Sequence, residues 1–324
     1  MKKVIVITTG GTIAMKMDEK TGGLVPAVSG DDLIQAVPAL KDVCKVEVHE
    51  FSNVPSGHMT PKMMFELSHM CDKFCADPEV AGVVITHGTD TQEETCYMLS
   101  LTAKTNKPIV TTGAMRGASD TGPDGPANIL AAVKTAACPE AVGRGAMLVL
   151  NDEIHCAERV AKSHTTSCST FISPGWGPIG HVYFDRVVFR FRPDKVEKIQ
   201  PEQIVEDVAL VKSCAGMDDY ILRCLADKPV AGIVVEAYGC GNVQPAIKNG
   251  IEYARSKGIP VVLTSRVFSG RVAEVYSYLG SAKSMAGSNI ILAGELTGQK
   301  ARIKLICALG LTRDVNQLRK YFDC

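Results

Sequence analysis

The sequence predicts an α/β protein, with a larger N-terminal domain on a mostly parallel sheet and a smaller C-terminal α/β domain. Short β-branched runs alternate with longer helical stretches, the pattern of βαβ units whose helices cover both sheet faces. Several apolar runs end abruptly in polar, glycine-containing loops. One proline-bearing, charged stretch near residue 191 breaks the rhythm.

The first strand is expected over 3–8, where Val4-Ile5-Val6-Ile7 runs into Thr8-Thr9-Gly10-Gly11-Thr12. A helix over 30–37, a strand over 45–50 and a helix over 61–76 follow. The next strand, 82–86, leads into Thr86-His87-Gly88-Thr89-Asp90-Thr91 and a helix over 92–105. Thr91-x-x-Glu94 has the spacing of a capping box for that helix. A strand over 108–112, a helix over 125–137 and a strand over 146–150 complete the regular part of domain 1–190. Residues 191–205 read as a linker, because Phe191–Pro201 holds two prolines and five charged residues. The domain 206–324 is expected to hold strands at 208–212, 231–235, 260–264 and 289–292. Its helices are expected at 217–226, 244–257 and 299–309.

Composition removes whole classes of function. Lys+Arg and Asp+Glu both total 35 in 324 residues. The formal charge is therefore zero, without the basic excess that nucleic acid or an anionic membrane would demand. No apolar run reaches the roughly 18 residues needed to span a bilayer. Met1-Lys2-Lys3 precedes a short apolar run with no cleavage site, so it reads as a first strand and not a signal peptide. The 12 cysteines include no C-x-x-C pair and no zinc-finger spacing. Many thiols without a disulfide framework point to a reducing, cytoplasmic setting.

Chemistry concentrates where strands end, since open α/β sheets bind ligands at the carboxyl ends of their strands. Thr9-Gly10-Gly11-Thr12 is either a structural turn or a functional loop. It matches neither phosphate-loop nor dinucleotide patterns. Asp90 and Thr91 could simply cap a helix, but that leaves His87-Gly88-Thr89 unexplained. His87 reads as a satisfied buried residue, or less simply as a metal ligand with Asp90. Gly113-Ala114-Met115-Arg116 brings a third loop to the same edge. Lys162 is a solvated loop residue, or, if buried beside a threonine and an aspartate, a base whose pKa desolvation lowers.

Together these segments resemble the bacterial-type L-asparaginases, the asparaginase/glutaminase amidohydrolase family. The resemblance runs through Thr9–Ala14, Ala36-Val37-Pro38, Ile85–Thr91, Gly113–Arg116 and Asp124-Gly125-Pro126. It continues through Asn151-Asp152, Lys162 with Thr165-Thr166, Gly241-Asn242 and Ser265-Arg266-Val267. It implies a flavodoxin-like N-terminal domain, no metal or organic cofactor, and hydrolysis of L-asparagine to L-aspartate and ammonia. It also implies a homotetramer, a dimer of dimers, with sites where one subunit's N-domain meets its neighbour's C-domain. By position Thr12 matches the primary nucleophile. Thr89, Asp90 and Lys162 match the second catalytic group. Ser56, Gly57, Gly88, Ala114 and Asn242 fall at substrate-binding positions, Ser56 toward the α-carboxylate and Asn242 across the dimer.

The chain departs from the family at three places. Thr21–Pro26 lacks the usual loop tyrosine, for which Tyr276 is one replacement. Gly57-His58 stands where Gln-Asp is frequent. Ser277 or Tyr276 falls where periplasmic-type enzymes carry a glutamate, with Glu274 reached only by moving a gap. These changes leave L-glutamine, D-asparagine or a modified amide as alternative substrates. A non-catalytic amino-acid sensor on the same fold is the remaining reading. Because the chain begins at its first strand, a tRNA-dependent amidotransferase component is disfavoured.

Overall fold

The computed structural model describes residues 2–322 apart from 12, 14, 19–22, 27–29, 229 and 286–289. It divides into two compact units, Met1–Lys198 and Ile199–Cys324.

The first unit carries β1 (Lys3–Thr8), the hairpin β2 (Met15–Asp18) and β3 (Gly23–Pro26), α1 (Gly30–Gln35) and β4 (Lys45–Glu50). Then come α2 (Pro61–Cys75), β5 (Val80–Thr86), α3 (Gln92–Thr102), β6 (Ile109–Thr112), α4 (Gly125–Ala137) and β7 (Ala146–Leu150). Shorter strands follow: β8 (Glu153–Cys156), β9 (Ala161–Lys162), β10 (Phe171–Ile172), β11 (Gly180–Val182) and β12 (Val187–Phe189). The main sheet has eight strands in the order β12-β11-β8-β7-β6-β5-β1-β4. The neighbours β4, β1, β5, β6 and β7 are parallel, while β8, β11 and β12 extend the sheet antiparallel.

The central strands are apolar at consecutive positions because helices cover both of their faces. Val4, Val6, Val84, Val110 and Met147 pack with Ile129, Ala132 and Val133 of α4. Alternation turns Ile5 and Ile7 to the opposite face, where α2 and α3 lie against β5, β6 and β7.

The sequence reading finds the parallel strands and their helices within a few residues. Within this unit it misses the β2–β3 hairpin and the strands β8 to β12, because those strands have two to four residues and no long apolar run. Asn151 and Asp152 join β7 to β8 as a two-residue hairpin turn with φ of 53° and 62°. Asn and Asp tolerate that left-handed geometry. Lys162, for which a solvated loop was one of two readings, lies on β9, which among the described residues pairs with β10 alone. The capping box fails in part: Thr91 precedes α3 but its side chain makes no capping bond. Its hydroxyl donates instead to the Ser56 carbonyl at 2.7 Å.

Part of the expected linker packs in the first unit, where Lys198 Nζ donates to the Ser100 and Ala103 carbonyls at 2.8 and 2.7 Å.

The second unit is a parallel sheet of β13 (Val208–Lys212), β14 (Gly232–Ala237), β15 (Val261–Ser265) and β16 (Ile291–Leu292), in that order. Its helices are α5 (Tyr220–Asp227), α6 (Pro245–Ser256), α7 (Ala282–Met285), α8 (Gly298–Leu309) and α9 (Val315–Phe322). Leu222, Ile247 and Ile251 from α5 and α6 pack on Ile233, Val235 and Leu263, and α8 lies against β13, β14 and β15. The expected strand 289–292 is β16, with residue 289 outside the described residues.

Candidate active site

Register places the three polar loops together. Thr8 of β1 sits beside Thr86 of β5, and Thr86 beside Thr112 of β6. The loops after these threonines therefore leave the sheet at one level, on its carboxyl edge. Thr9 ties the first loop to β5, its N–H and hydroxyl both donating to the Thr86 carbonyl at 3.1 and 2.9 Å.

Glycine lets the loops touch. Gly11 has a φ of +86°, and a Cβ there would stand 2.3 Å from the Gly88 nitrogen. A Cβ on Gly88 would stand 2.8 Å from the side chain of Ser56. Backbone meets backbone at this point, and no larger residue fits without a shift. The third loop is held by α4. Asp124 accepts the Met115 and Arg116 N–H groups at 3.1 and 2.9 Å, and Asn128 Nδ2 donates to the Gly113 carbonyl at 3.0 Å.

His87 is fully buried. Its Nδ1 lies 2.7 Å from the Gly88 carbonyl, so it carries the proton and donates there. Its Nε2 then accepts the Thr95 hydroxyl at 2.9 Å. Burial pushes its pKa down to about 4, so the ring is neutral near pH 7. His87 is thus the satisfied buried residue expected after an apolar strand. No cluster of His, Cys, Asp and Glu suited to a metal exists among the described residues.

Thr89 and Lys162 meet at the centre of the site. Lys162 Nζ donates to Thr89 Oγ1 at 2.9 Å and to Asp90 Oδ1 at 2.6 Å. Thr89 is buried, and the side chains of Lys162 and Asp90 are 15% and 76% exposed. The ammonium is thus held between a buried hydroxyl and a wet carboxylate. Beside them lies a cavity of about 270 Å³. Gly11, Ser56, Gly88, Thr89, Asp90, Ala114 and Lys162 line it, together with Pro55, Met115 and Thr165.

Of the residues expected from sequence, Ser56, Gly88, Thr89, Asp90, Ala114 and Lys162 meet at this cavity. Gly57 is not among its lining residues, and a Cβ there would meet nothing within 4 Å. Thr12 lies outside the described residues, with its neighbour Gly11 on the cavity wall. Asn242 is in the second unit, where its backbone pairs with Tyr238. Tyr276, also in that unit, is exposed and packs on Tyr278 with ring centroids 5.6 Å apart. Thr21 and Gly22, from the stretch without a tyrosine, fall outside the described residues. Pro55, Met115 and Thr165 were not expected as site residues. Met115 and Thr165 sit inside motifs that were, which was the available signal.

A hydroxyl facing a cavity, with an amine against it and a carboxylate on the amine, is an arrangement for activating a nucleophile. Thr89 and Ala114 border the same space.

Comparisons with known proteins point to one family. Residues 3–195 match the family model described as "Asparaginase, N-terminal", and residues 207–322 the "Glutaminase/Asparaginase C-terminal domain". L-asparaginase 2 of Bacillus subtilis (strain 168) is 33% identical, covering 100% of this chain and 86% of the relative. L-asparaginase 2 of Escherichia coli (strain K12) is 32% identical, covering 100% of this chain and 93% of the relative. The crystal structure of a probable cytoplasmic L-asparaginase from Campylobacter jejuni superposes with a TM-score of 0.90 at 32% identity, covering 99% of each chain.

Proposed function

This chain belongs to the asparaginase family, and from that premise we propose that it hydrolyses the side-chain amide of L-asparagine to L-aspartate and ammonia by threonine-based catalysis. One observation carries the catalytic reading: the Thr89 hydroxyl and the Asp90 carboxylate both engage the Lys162 ammonium at the wall of the cavity.

Thr12 and Thr89 are the reacting hydroxyls of this reading. Lys162 takes a proton once it is neutral, and Asp90 orients it. The N–H groups of Thr89 and Ala114 face the oxyanion, and Ser56 receives the substrate's α-carboxylate. Thr12 either attacks the amide carbon to form an acyl-enzyme that water then hydrolyses, or leaves Thr89 to activate water for direct attack. A burst of ammonia equal to the enzyme concentration marks the first route when hydrolysis of the acyl-enzyme is the slower step. No metal or organic cofactor enters either route.

Assembly into a homo-oligomer, a dimer of dimers, is the second part of the proposal. It is supported by an exposed apolar run in the second unit, with Phe268, Val275, Tyr278 and Leu279 53–62% exposed. Patches of this kind mark interaction surfaces. The run lies beside Asn242, since the Ala273 N–H bonds the Cys240 carbonyl and the Val243 N–H bonds the Gly280 carbonyl. Cytoplasmic residence is supported by free thiols at every described cysteine. Among the described residues no helix is long and apolar enough to cross a membrane.

A coupled ammonia assay over L-asparagine, D-asparagine and L-glutamine tests the substrate. L-asparagine should give the highest kcat/KM. Release no greater than from a folded Thr89→Ala control would overturn the enzyme reading in favour of a sensor.

A further inference from the structure

Lys162 stands on weak footing for a residue that must hold a hydroxyl at 2.9 Å. Its strand β9 has two residues and, among the described residues, pairs only with β10, outside the eight-stranded sheet. A two-stranded hairpin has marginal stability of its own. A displacement of about 1 Å at a reacting group costs roughly 10²-fold in rate.

Besides the burial of Val160, Ala161 and Phe171, two polar fastenings tie this hairpin to the rest of the unit. Glu93, in the first turn of α3, is 5% exposed, and its Oε1 accepts the Lys162 N–H at 3.4 Å. That bond is long, but it links β9 to the helix that begins just after Thr89 and Asp90. The backbone and the ammonium of Lys162 thereby reach the same short segment, residues 89–93. The second fastening lies behind β10. Ser173 follows Ile172 directly, and its hydroxyl is 2.9 Å from His155 Nδ1, with Ser173 and His155 4% and 1% exposed. His155 Nε2 lies 3.2 Å from Glu153 Oε2. His155 and Glu153 belong to β8, so the main sheet holds the partner strand of Lys162 through this pair.

We propose that Glu93 and the Ser173–His155 pair are positioning residues that set the Lys162 ammonium against Thr89, one acting on the backbone of β9 and the other on β10. The proposal rests on the reading of Lys162 as the group that activates threonine. Helix polarity alone explains a carboxylate in the first turn of α3. It does not explain one buried and turned to the backbone of a separate strand.

Glu93→Ala, Glu93→Gln and Ser173→Ala test this in the full chain. The measurements are kcat and KM for L-asparagine, the melting temperature, and the rate at which Lys162 is reductively methylated, read by peptide mass spectrometry. The two alanine variants should lose about 10-fold or more in kcat with KM within about twofold. Lys162 methylation should rise at least about threefold in both, because the ammonium leaves Thr89. Glu93→Gln, which keeps an acceptor for the Lys162 N–H, should recover most of kcat. Alanine variants that fold with unchanged kcat and methylation rate would overturn the proposal. So would losses that follow the melting temperature alone, with Glu93→Gln no better than Glu93→Ala. If Glu93→Ala does not fold, Ser173→Ala decides. If the wild-type protein releases no ammonia from any amide, the functional reading fails, and the methylation rates still report on positioning.

Discussion

At the residue scale the central fact is a pair of bonds that span 72 and 73 residues of sequence. Thr89 and Asp90 were legible because they sit in one short motif. Lys162 was legible as a base only on the condition that it lay buried beside a threonine and an aspartate; the family resemblance supplied that pairing, and spacing alone could not show that its ammonium reaches them. Lys162→Met should lower kcat about 10²–10⁴-fold, the range for loss of a general base. KM should change far less, as steady-state kinetics will show. His87 makes a separate prediction. Its folded pKa of about 4 lies below the ordinary 6.5 of the unfolded chain. Between those values the unfolded state binds the extra proton, so stability falls as pH drops through this window and is unaffected above it. From pH 7.5 to pH 5 the cost is on the order of 2 kcal/mol. Urea unfolding at both pH values should show that loss in wild type, and a smaller one in His87→Gln.

At the element scale the parallel strands were legible because burial on both faces forces continuous apolar runs such as Val4–Ile7 and Val83–Ile85. The antiparallel extension was not, because β8, β11 and β12 have at most four residues each and carry the ionisable groups Glu153, His155 and His181. The failed capping box has the same lesson on a smaller scale. The Thr91 hydroxyl had two acceptable partners, and the distant Ser56 carbonyl won. Glycine at the strand ends has a sharper consequence. Gly11→Ala must move the Gly88 backbone, which a Cβ would otherwise approach to 2.3 Å. Overpacking of this kind costs about 1–3 kcal/mol, and here it lands on the cavity wall. The variant should melt earlier and lose far more activity than that stability change explains. A Gly57→Ala control, where a Cβ meets nothing within 4 Å, should melt like wild type.

At the scale of the whole molecule, the two units have separate cores and separate sheets, and the expected site residues divide between them. Thr89, Asp90 and Lys162 belong to the first unit, Asn242 to the second. If each site joins the first unit of one subunit to the second unit of its neighbour, two damaged subunits can complement one another. Take Thr89→Ala, which lacks its hydroxyl, and Asn242→Ala, which should mainly raise KM. In a mixed dimer one site receives both defects and the other receives neither. Random mixing makes half the dimers mixed, so about a quarter of all sites become wild type by symmetry. Assayed well below the raised KM, each variant alone should be nearly silent. Co-refolded at equal amounts they should recover roughly a quarter of wild-type kcat/KM by that count. The recovered activity should fall on dilution as dimers separate. A site built within one subunit gives no recovery at any mixing ratio, because every subunit then carries one defect of its own.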